Sequence, residues 1–392
     1  MFCQLEVLRQ CFPPSVRRIL EELPDTLDET YERILREIRK PNQGHAHKLL
    51  QCLVAAVRPL QVKELAEVLA FDFKAEGIPK LNLGWRWEDQ EEAVMSACSS
   101  LVIIVKDGDS RIVQFSHFSV KEFLTANRLA EPIRYVSRYH IRLEAAHTIL
   151  AQACLGVLLR LDDHVDRDKI ENFPLARYAA QYWATHARFE NISSRIKDGM
   201  ECLFDAGKPH FATWVWIYDE DTTEHPGKPS AVPLYYAAML GFCDLAEHLI
   251  AEHPEHVNAK GGGEKTPMHV AASSGHAGVL SLLLEHGANL DGRDILDQTP
   301  LHRASWHGNV EAVQCLLGRG ADINAGDHIN WTPLHWAVTG REIQAVRLLL
   351  EHGADVNARD SKSGCTPSQL RSALSRPDIM ELLTEYGAKS VQ

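Results

Sequence analysis

The sequence predicts a mainly α protein whose C-terminal third is a solenoid of stacked helix pairs, and three observations carry that expectation. One phrase returns through that third: Val232-Pro-Leu-Tyr-Tyr-Ala, Thr266-Pro-Met-His-Val-Ala, Thr299-Pro-Leu-His-Arg-Ala, Thr332-Pro-Leu-His-Trp-Ala and a degraded Thr366-Pro-Ser-Gln-Leu. Its prolines, at 233, 267, 300, 333 and 367, stand 34, 33, 33 and 34 residues apart. Upstream, apolar residues recur mainly at helical spacing, with one switch to a period of two. The composition, 45% hydrophobic and 24% charged over 392 residues, is that of a globular chain with room for two or three domains.

Each repeat reads as two antiparallel helices and an extended finger. Thr before Pro starts a helix, because the hydroxyl can accept free backbone N–H groups and Pro needs no donor in the first turn. Gly241, Gly275 and Gly308 stand eight residues after the proline, where the first helix must end. The second helix carries an apolar stripe such as Val310, Val313, Leu316 and Leu317, and closes at Gly287-Ala, Gly320-Ala, Gly353-Ala or Gly387-Ala. An Asn/Asp-rich segment such as 291–297 then turns outward. A unit of 33 residues is below the roughly 40-residue floor for folding alone, so stacking must stabilise it. Period and phrase are those of the ankyrin repeat. In the fourth unit Arg341 takes the glycine position. In the fifth, Ser368, Gln369 and Ser375 replace Leu, His and Gly, as a solvent-facing cap requires.

Charge and cysteine usage exclude several classes. The net charge is −12, and residues 231–392 hold 12 Lys/Arg against 19 Asp/Glu, a poor match for a phosphate backbone. Nine scattered cysteines without a CxxC pair suit free thiols in a reducing cytoplasm rather than a disulfide framework. Glu6, Arg9 and Arg17 interrupt any signal-peptide core, and no apolar run approaches the roughly 18 residues of a membrane span.

In chain order, residues 1–12 read as the end of a truncated helical segment, broken by Pro13-Pro14. Helices are expected over 15–22 and 26–38, the second capped by Asp25 or Thr26 and striped by Tyr31, Ile34, Leu35 and Ile38. Further helices are expected over 49–57, 62–71 and 88–98, with His45 and His47 in a Gly-containing loop before them. The period then changes to two over 101–105 and 111–115, with Asp107-Gly108-Asp109 as the turn. Three helices followed by a hairpin is winged-helix order, so 13–135 is expected to be helices plus a winged-helix domain. Residues 136–225 form a helical spacer, with Leu143, Ala146, Leu150, Cys154, Val157, Leu158 and Leu161 on one face and Tyr178, Tyr182 and Trp183 on another. An acidic, then Pro/Gly-rich stretch at 218–230 leads into the repeats of 226–392.

Val113-Gln-Phe-Ser-His-Phe-Ser-Val-Lys-Glu-Phe-Leu124, downstream of Arg58-Pro-Leu and Glu64-Leu65, resembles the winged-helix segment that follows NACHT NTPase modules. It is especially similar to the large fungal class that continues into ankyrin repeats. Phe2-Cys3-Gln4-Leu5 and Leu23-Pro24 through Tyr31 match that family's joining phrases, and 143–161 with Phe173 to Ala187 resemble its helical spacer. The resemblance implies that a nucleotide-binding core would precede Met1. It also implies that a ligand seen by the repeats would bias a nucleotide-dependent switch. The phosphate loop G-x-x-x-x-G-K-[ST] itself occurs nowhere, and Gly261-Gly-Gly-Glu-Lys-Thr266 has Glu264 where its second glycine belongs.

Other chemistry is equally sparse. His269, His302 and His335 recur one per unit and are read as side chains tying a helix start to a finger, and His45 and His47 have no Cys or carboxylate at zinc spacing. His117 with Ser116 or Ser119 lacks a nucleophile elbow and is read as a cap. The third winged-helix segment, Asp89-Gln-Glu-Glu92, is acidic where a DNA-reading helix would be cationic.

The expectation is therefore a non-catalytic interaction protein without cofactor or metal, membrane, nucleic acid or small-molecule substrate. Its partner is a protein on the concave ankyrin face. Alternatives are a substrate adaptor for a larger complex such as a ubiquitin ligase, or the regulatory half of a signalling NTPase. Side chains spare to the repeat should make the contacts: Tyr236, Arg303 and Trp336 after the repeat histidine slot, Trp306 two before the glycine, and Trp331 in the finger. Indole, phenol and guanidinium groups dominate binding hot spots. Calorimetric titration of the purified chain with ATP or GTP should give no heat of binding; micromolar affinity would contradict the non-catalytic reading.

Overall fold

The computed structural model describes residues 26–73, 77–130, 136–162, 164–190, 192–219 and 226–388. The helical segments expected at 1–12 and 15–22, and the centre of the linker expected at 218–230, lie outside the described residues. The chain divides into two compact units between Gly227 and Lys228.

Helix α1 (Leu27–Glu37) begins at Thr26, whose hydroxyl accepts the Glu29 amide at 3.2 Å, and it buries Tyr31, Ile34 and Leu35. Helix α2 (Gln43–Ala55) follows. His45 and His47 sit inside it rather than in a loop. A 3-10 turn over Lys40–Asn42, opened by Pro41, runs into the helix, and burial of Ala46, Leu49 and Leu50 outweighs the roughly 1 kcal/mol helix cost of Gly44. Strand β1 (Leu60–Gln61) leads to α3 (Val62–Glu67), which stops four residues before the expected end. Phe71 has left the helix to open β2 (Phe71–Asp72), paired antiparallel with β3 (Lys80–Leu81). Helix α4 (Gln90–Cys98) then precedes the hairpin of β4 (Val102–Asp107) and β5 (Ser110–Phe115). Asp89 caps α4 by accepting the Glu91 and Glu92 amides at 3.0 and 2.9 Å.

The sheet order β1-β5-β4 sets Val113 opposite both Leu60 and Ile104. Val102 and Val113 face the core while Ile103 faces solvent, the alternation of a one-sided antiparallel sheet. At the wing tip Gly108 takes φ +57°, a left-handed angle that suits the two-residue turn. Helix α5 (Phe118–Thr125) is capped by the His117 ring, which accepts the Ser119 amide at 3.3 Å.

Helices α6 (Leu143–Leu158), α7 (Arg167–Ile170), α8 (Ala176–Ala187), α9 (Ile192–Arg195), α10 (Lys197–Phe204) and α11 (Pro209–Tyr218) form the spacer. Its core is aromatic: Trp214 lies 5.2 Å from Phe204 and 6.0 Å from Trp183 between centroids, and its indole N–H donates to the Ala180 carbonyl.

A buried polar seam joins the winged helix to this spacer. Arg58 pairs with Glu64 at 2.7 Å and lies over the Tyr178 ring, and the Val57 amide donates to the Tyr178 hydroxyl at 3.2 Å. That hydroxyl is 2.9 Å from His186 Nε2, and His186 Nδ1 is 2.9 Å from His147 Nδ1. Burial, and secondarily His147, pushes the His186 imidazole down to about 3. Buried Glu67 accepts the Leu175 amide at 2.7 Å and pairs with Arg86. The phrases Arg58-Pro-Leu, Glu64-Leu65 and 173–187 are thus the two sides of one interface.

The second unit stacks five helix pairs: α12 (Pro233–Leu240) with α13 (Cys243–Glu252), α14 (Pro267–Ser274) with α15 (Ala277–Glu285), α16 (Pro300–Trp306) with α17 (Val310–Gly318), α18 (Pro333–Gly340) with α19 (Ile343–Glu351), and the shortened α20 (Arg371–Leu374) with α21 (Pro377–Glu385). First helices stack on first helices and second on second.

The repeat histidines provide the link from unit to unit. His302 Nδ1 accepts from the Thr299 amide at 3.0 Å and lies 2.9 Å from its hydroxyl, while Nε2–H donates to the Trp331 carbonyl of the next finger at 2.9 Å. His269 does the same from Thr266 to the Gln298 carbonyl, and His335 from Thr332 to Cys365 at a longer 3.5 Å. All three are essentially sealed from water. A second link caps helices across units: Asn309 donates to the Ala272 and Ser273 carbonyls at 2.9 and 2.7 Å.

Two outcomes follow from this packing. Burial lowers all three repeat imidazoles, His302 to about 4, from an ordinary 6.5. Between those values the unfolded chain binds protons that the native one refuses, so stability is complete above about pH 7 and falls as pH drops toward 4, by on the order of 3 kcal/mol from His302 alone. Urea midpoints of the full chain at pH 7.5 and pH 5 should show the loss; equal midpoints would contradict it. Arg341 holds φ +65° in the slot that glycine fills elsewhere. Arg341→Gly should therefore raise stability by roughly 1 kcal/mol in the same assay.

Candidate protein-interaction face

The five residues singled out from the repeat period separate into two groups. Trp306, Trp331 and Trp336 come together. The Trp336 ring centroid is 5.2 Å from that of Trp306 and 5.2 Å from that of Trp331, the latter edge-on at 68°. Trp331 also stacks on His335 at 13°. The last residue of α16, the finger between α17 and α18 and the first turns of α18 thus build one indole ridge, with Trp306 38% exposed and the other two half-buried. Gly340 allows the close approach: a Cβ there would stand 2.3 Å from the Trp306 carbonyl oxygen.

Tyr236 and Arg303 correct the expectation of outward side chains. Tyr236 is 3% exposed, packed with the apolar side of α12. Arg303 is 8% exposed and grips buried Asp294 through Nη2 at 2.5 Å and Nε at 3.2 Å. Its guanidinium is committed to the finger that precedes its own helix.

The finger aspartates responsible for this were missed, although they obey the period. Asp294 Oδ1 accepts the Leu296 and Gln298 amides and leaves Oδ2 for Arg303. Thirty-three residues on, Asp327 Oδ1 accepts the Ile329 and Trp331 amides at 3.0 and 2.9 Å, and Oδ2 accepts the Trp336 indole N–H at 2.9 Å. Each aspartate folds its finger and orients the side chain nine positions ahead. The spacing 294, 327, 360 was the available signal.

Two further features border the indoles. Lys265 is half-buried and has no ion pair among the described residues; burial first, and Arg303 next, lower its ammonium below the usual range. His307, against the Trp306 ring at 5.2 Å, is lowered by burial and then by Arg303. The finger tip residues Ile295 and Leu296 are 66% and 40% exposed. The face therefore offers indole and aliphatic surface beside a cation that makes no ion pair among the described residues.

The winged-helix unit offers less. An open crevice of about 770 Å³ between wing and α4 is lined by Glu88, Asp89, Glu91 and Asp109 against Lys63 and Arg111. Arg111 pairs with Glu91, and Lys63 with Glu171. His117 Nδ1 lies 2.6 Å from Ser119 Oγ, a distance that suggests an activated nucleophile. The same nitrogen accepts the Ser119 amide, and Oγ is 2.8 Å from the Tyr31 hydroxyl, so the trio is a helix cap tied to α1.

Comparison with known proteins agrees with this layout. The model described as "GPI inositol-deacylase, winged helix domain" matches residues 31–133. Those described as "Ankyrin repeats (3 copies)" and "Ankyrin repeat" match 234–327 and 330–361. The chain is 32% identical over 288 residues to "Azaphilone pigments biosynthesis cluster protein L" of Monascus ruber. The match takes in 68% of this chain and 60% of that relative, so the chain spans about 60% of its length. Among the described residues, no helix is long and apolar enough to cross a membrane.

Asp327→Ala should cost on the order of 3 kcal/mol, because it strands the Ile329 and Trp331 amides and the Trp336 indole N–H. Chemical denaturation measures this; a loss below about 0.5 kcal/mol would show that the finger does not rely on the carboxylate.

Proposed function

From a chain that joins a winged-helix domain of the GPI inositol-deacylase type, the NACHT-associated kind, to ankyrin repeats, we propose a non-catalytic recognition protein. Ankyrin repeats are interaction modules, and the part of this array that meets the partner is the ridge of Trp306, Trp331 and Trp336 on its concave face. The observation that carries the reading is the mutual packing of three indoles, one of them 38% exposed, on side chains the repeat does not require. Indoles in such clusters contribute large contact area with little loss of rotamer freedom. Lys265, which makes no ion pair among the described residues, favours a protein segment that sets an acidic group beside an apolar one.

In this reading the array is the sensor part of a NACHT-type signalling receptor, and the winged helix and spacer carry its occupancy toward a switch. The continuous seam from Arg58 through Tyr178 to His147 supports that role, because it makes winged helix and spacer move together. The acidic start of α4 disfavours nucleic acid. A cytoplasmic setting fits the buried, unpaired thiols of Cys52 and Cys98, both pushed up to about 12 by burial.

The test is affinity capture with wild type, Trp306→Ala/Trp336→Phe, and a Glu311→Ala control on the second helix of the same unit. A partner held by wild type and control but lost from the double variant, with melting temperatures within a few degrees, supports the ridge. Equal recovery by all three would remove it. A collapse of the melting temperature would assign the indoles to the core.

A further inference from the structure

The first repeat departs from the others at one position. Twenty residues after the phrase proline, the later units hold Gly287, Gly320, Gly353 and Gly387, all between φ +83° and +89°, to end the second helix. The first unit holds His253 there instead, at φ −136°. The turn is rebuilt as a 3-10 helix over Pro254–Asn258, which accommodates the left-handed turn's absence.

That turn is anchored on both sides. The His253 amide donates to the Leu249 carbonyl at 2.9 Å, and the His256 amide to the His253 carbonyl at 3.0 Å. Val257 is buried. Asn258 then donates to the Gly287 carbonyl and accepts the Asn289 amide, fixing the segment to the next unit. On this scaffold His253 Nδ1 stands 3.2 Å from Glu255 Oε1, and His256 Nε2 stands 3.9 Å from the same oxygen. The two imidazoles stack at 4.8 Å between centroids, and the three donor atoms all lie within 4.8 Å of one another. The fold does not require an imidazole at 253, since the other units complete the turn with glycine there.

We propose that His253, Glu255 and His256 form an open surface site for a divalent cation of the zinc class, with water in its remaining coordination positions. Two imidazoles and one carboxylate suit zinc, copper or nickel, whereas magnesium and calcium prefer all-oxygen sets. Bonds of roughly 2.0–2.2 Å would draw the donors to about 3.3–3.5 Å apart, within reach of small side-chain rotations. The cation would take the place between imidazole and carboxylate that a shared proton otherwise holds, and would clamp the turn where the first repeat meets the second. Because the site is built into the native turn, binding stabilises the folded array.

The full chain should be titrated calorimetrically with ZnCl2 beside His253→Gly/His256→Gln, in a reducing agent that does not bind metal. His253→Gly restores the residue that the other units carry, and a metal-free melting curve verifies the fold. His256→Gln alone, which leaves the whole backbone turn intact, is the second variant. Wild type should bind one zinc equivalent more than either variant, and only wild type should gain melting temperature with ZnCl2 and not with MgCl2. Glu255→Gln should weaken that site on the order of 10-fold. Equal stoichiometry and equal thermal response in wild type and both variants would place the zinc on other histidines or cysteines and overturn the proposal.

Discussion

The histidine that joins the second, third and fourth repeats each to the next is the constraint from which the second unit follows. One imidazole accepts at Nδ1 from the threonine that starts its own helix and donates at Nε2 to the carbonyl ending the next finger. Only one neutral tautomer can do both. A unit too small to bury a core of its own is thereby fixed in orientation before any apolar contact is counted. The aspartate turn fixes the finger itself, and the cross-unit cap by Asn309 fixes the helix end. With these tasks assigned to Thr, His, Asp and Gly, the remaining outward positions are free to carry indoles.

The same division of labour accounts for what was legible in the sequence. Repeat number, helix order and the structural role of His269, His302 and His335 follow from the period, because a residue that recurs in register solves the same local problem in each unit that carries it. Arg341 in the left-handed slot was legible for that reason. The fate of the spare positions was not. Whether Arg303 faces solvent depends on Asp294, nine residues back, and Tyr236 is buried by neighbours that the period does not name. His45 and His47 were misplaced because Gly44 suggested a loop, whereas burial of Leu49 and Leu50 extends the helix past it. Phe71 shows the reverse case, a residue at helical spacing drawn out to pair with Leu81.

In the first unit the phrases that resemble NACHT-associated segments have a physical role beyond resemblance. Arg58, Glu64 and Glu67 on one side meet Tyr178, His186 and the Leu175 amide on the other, and Glu64, Glu67, Tyr178 and His186 are buried. Stranding any one of them would leave a buried polar atom unpaired, which is expensive. The seam therefore makes winged helix and spacer one body.

The central claim is that neutral, singly protonated imidazoles hold the repeats in register. Nitrogen-15 spectra of the histidine side chains across pH measure it directly. The account predicts that His269, His302 and His335 show the Nε2–H tautomer and titrate below the ordinary 6.5, His302 down to about 4. Titration of the three near 6.5, as free imidazoles would, or the opposite tautomer, would contradict it.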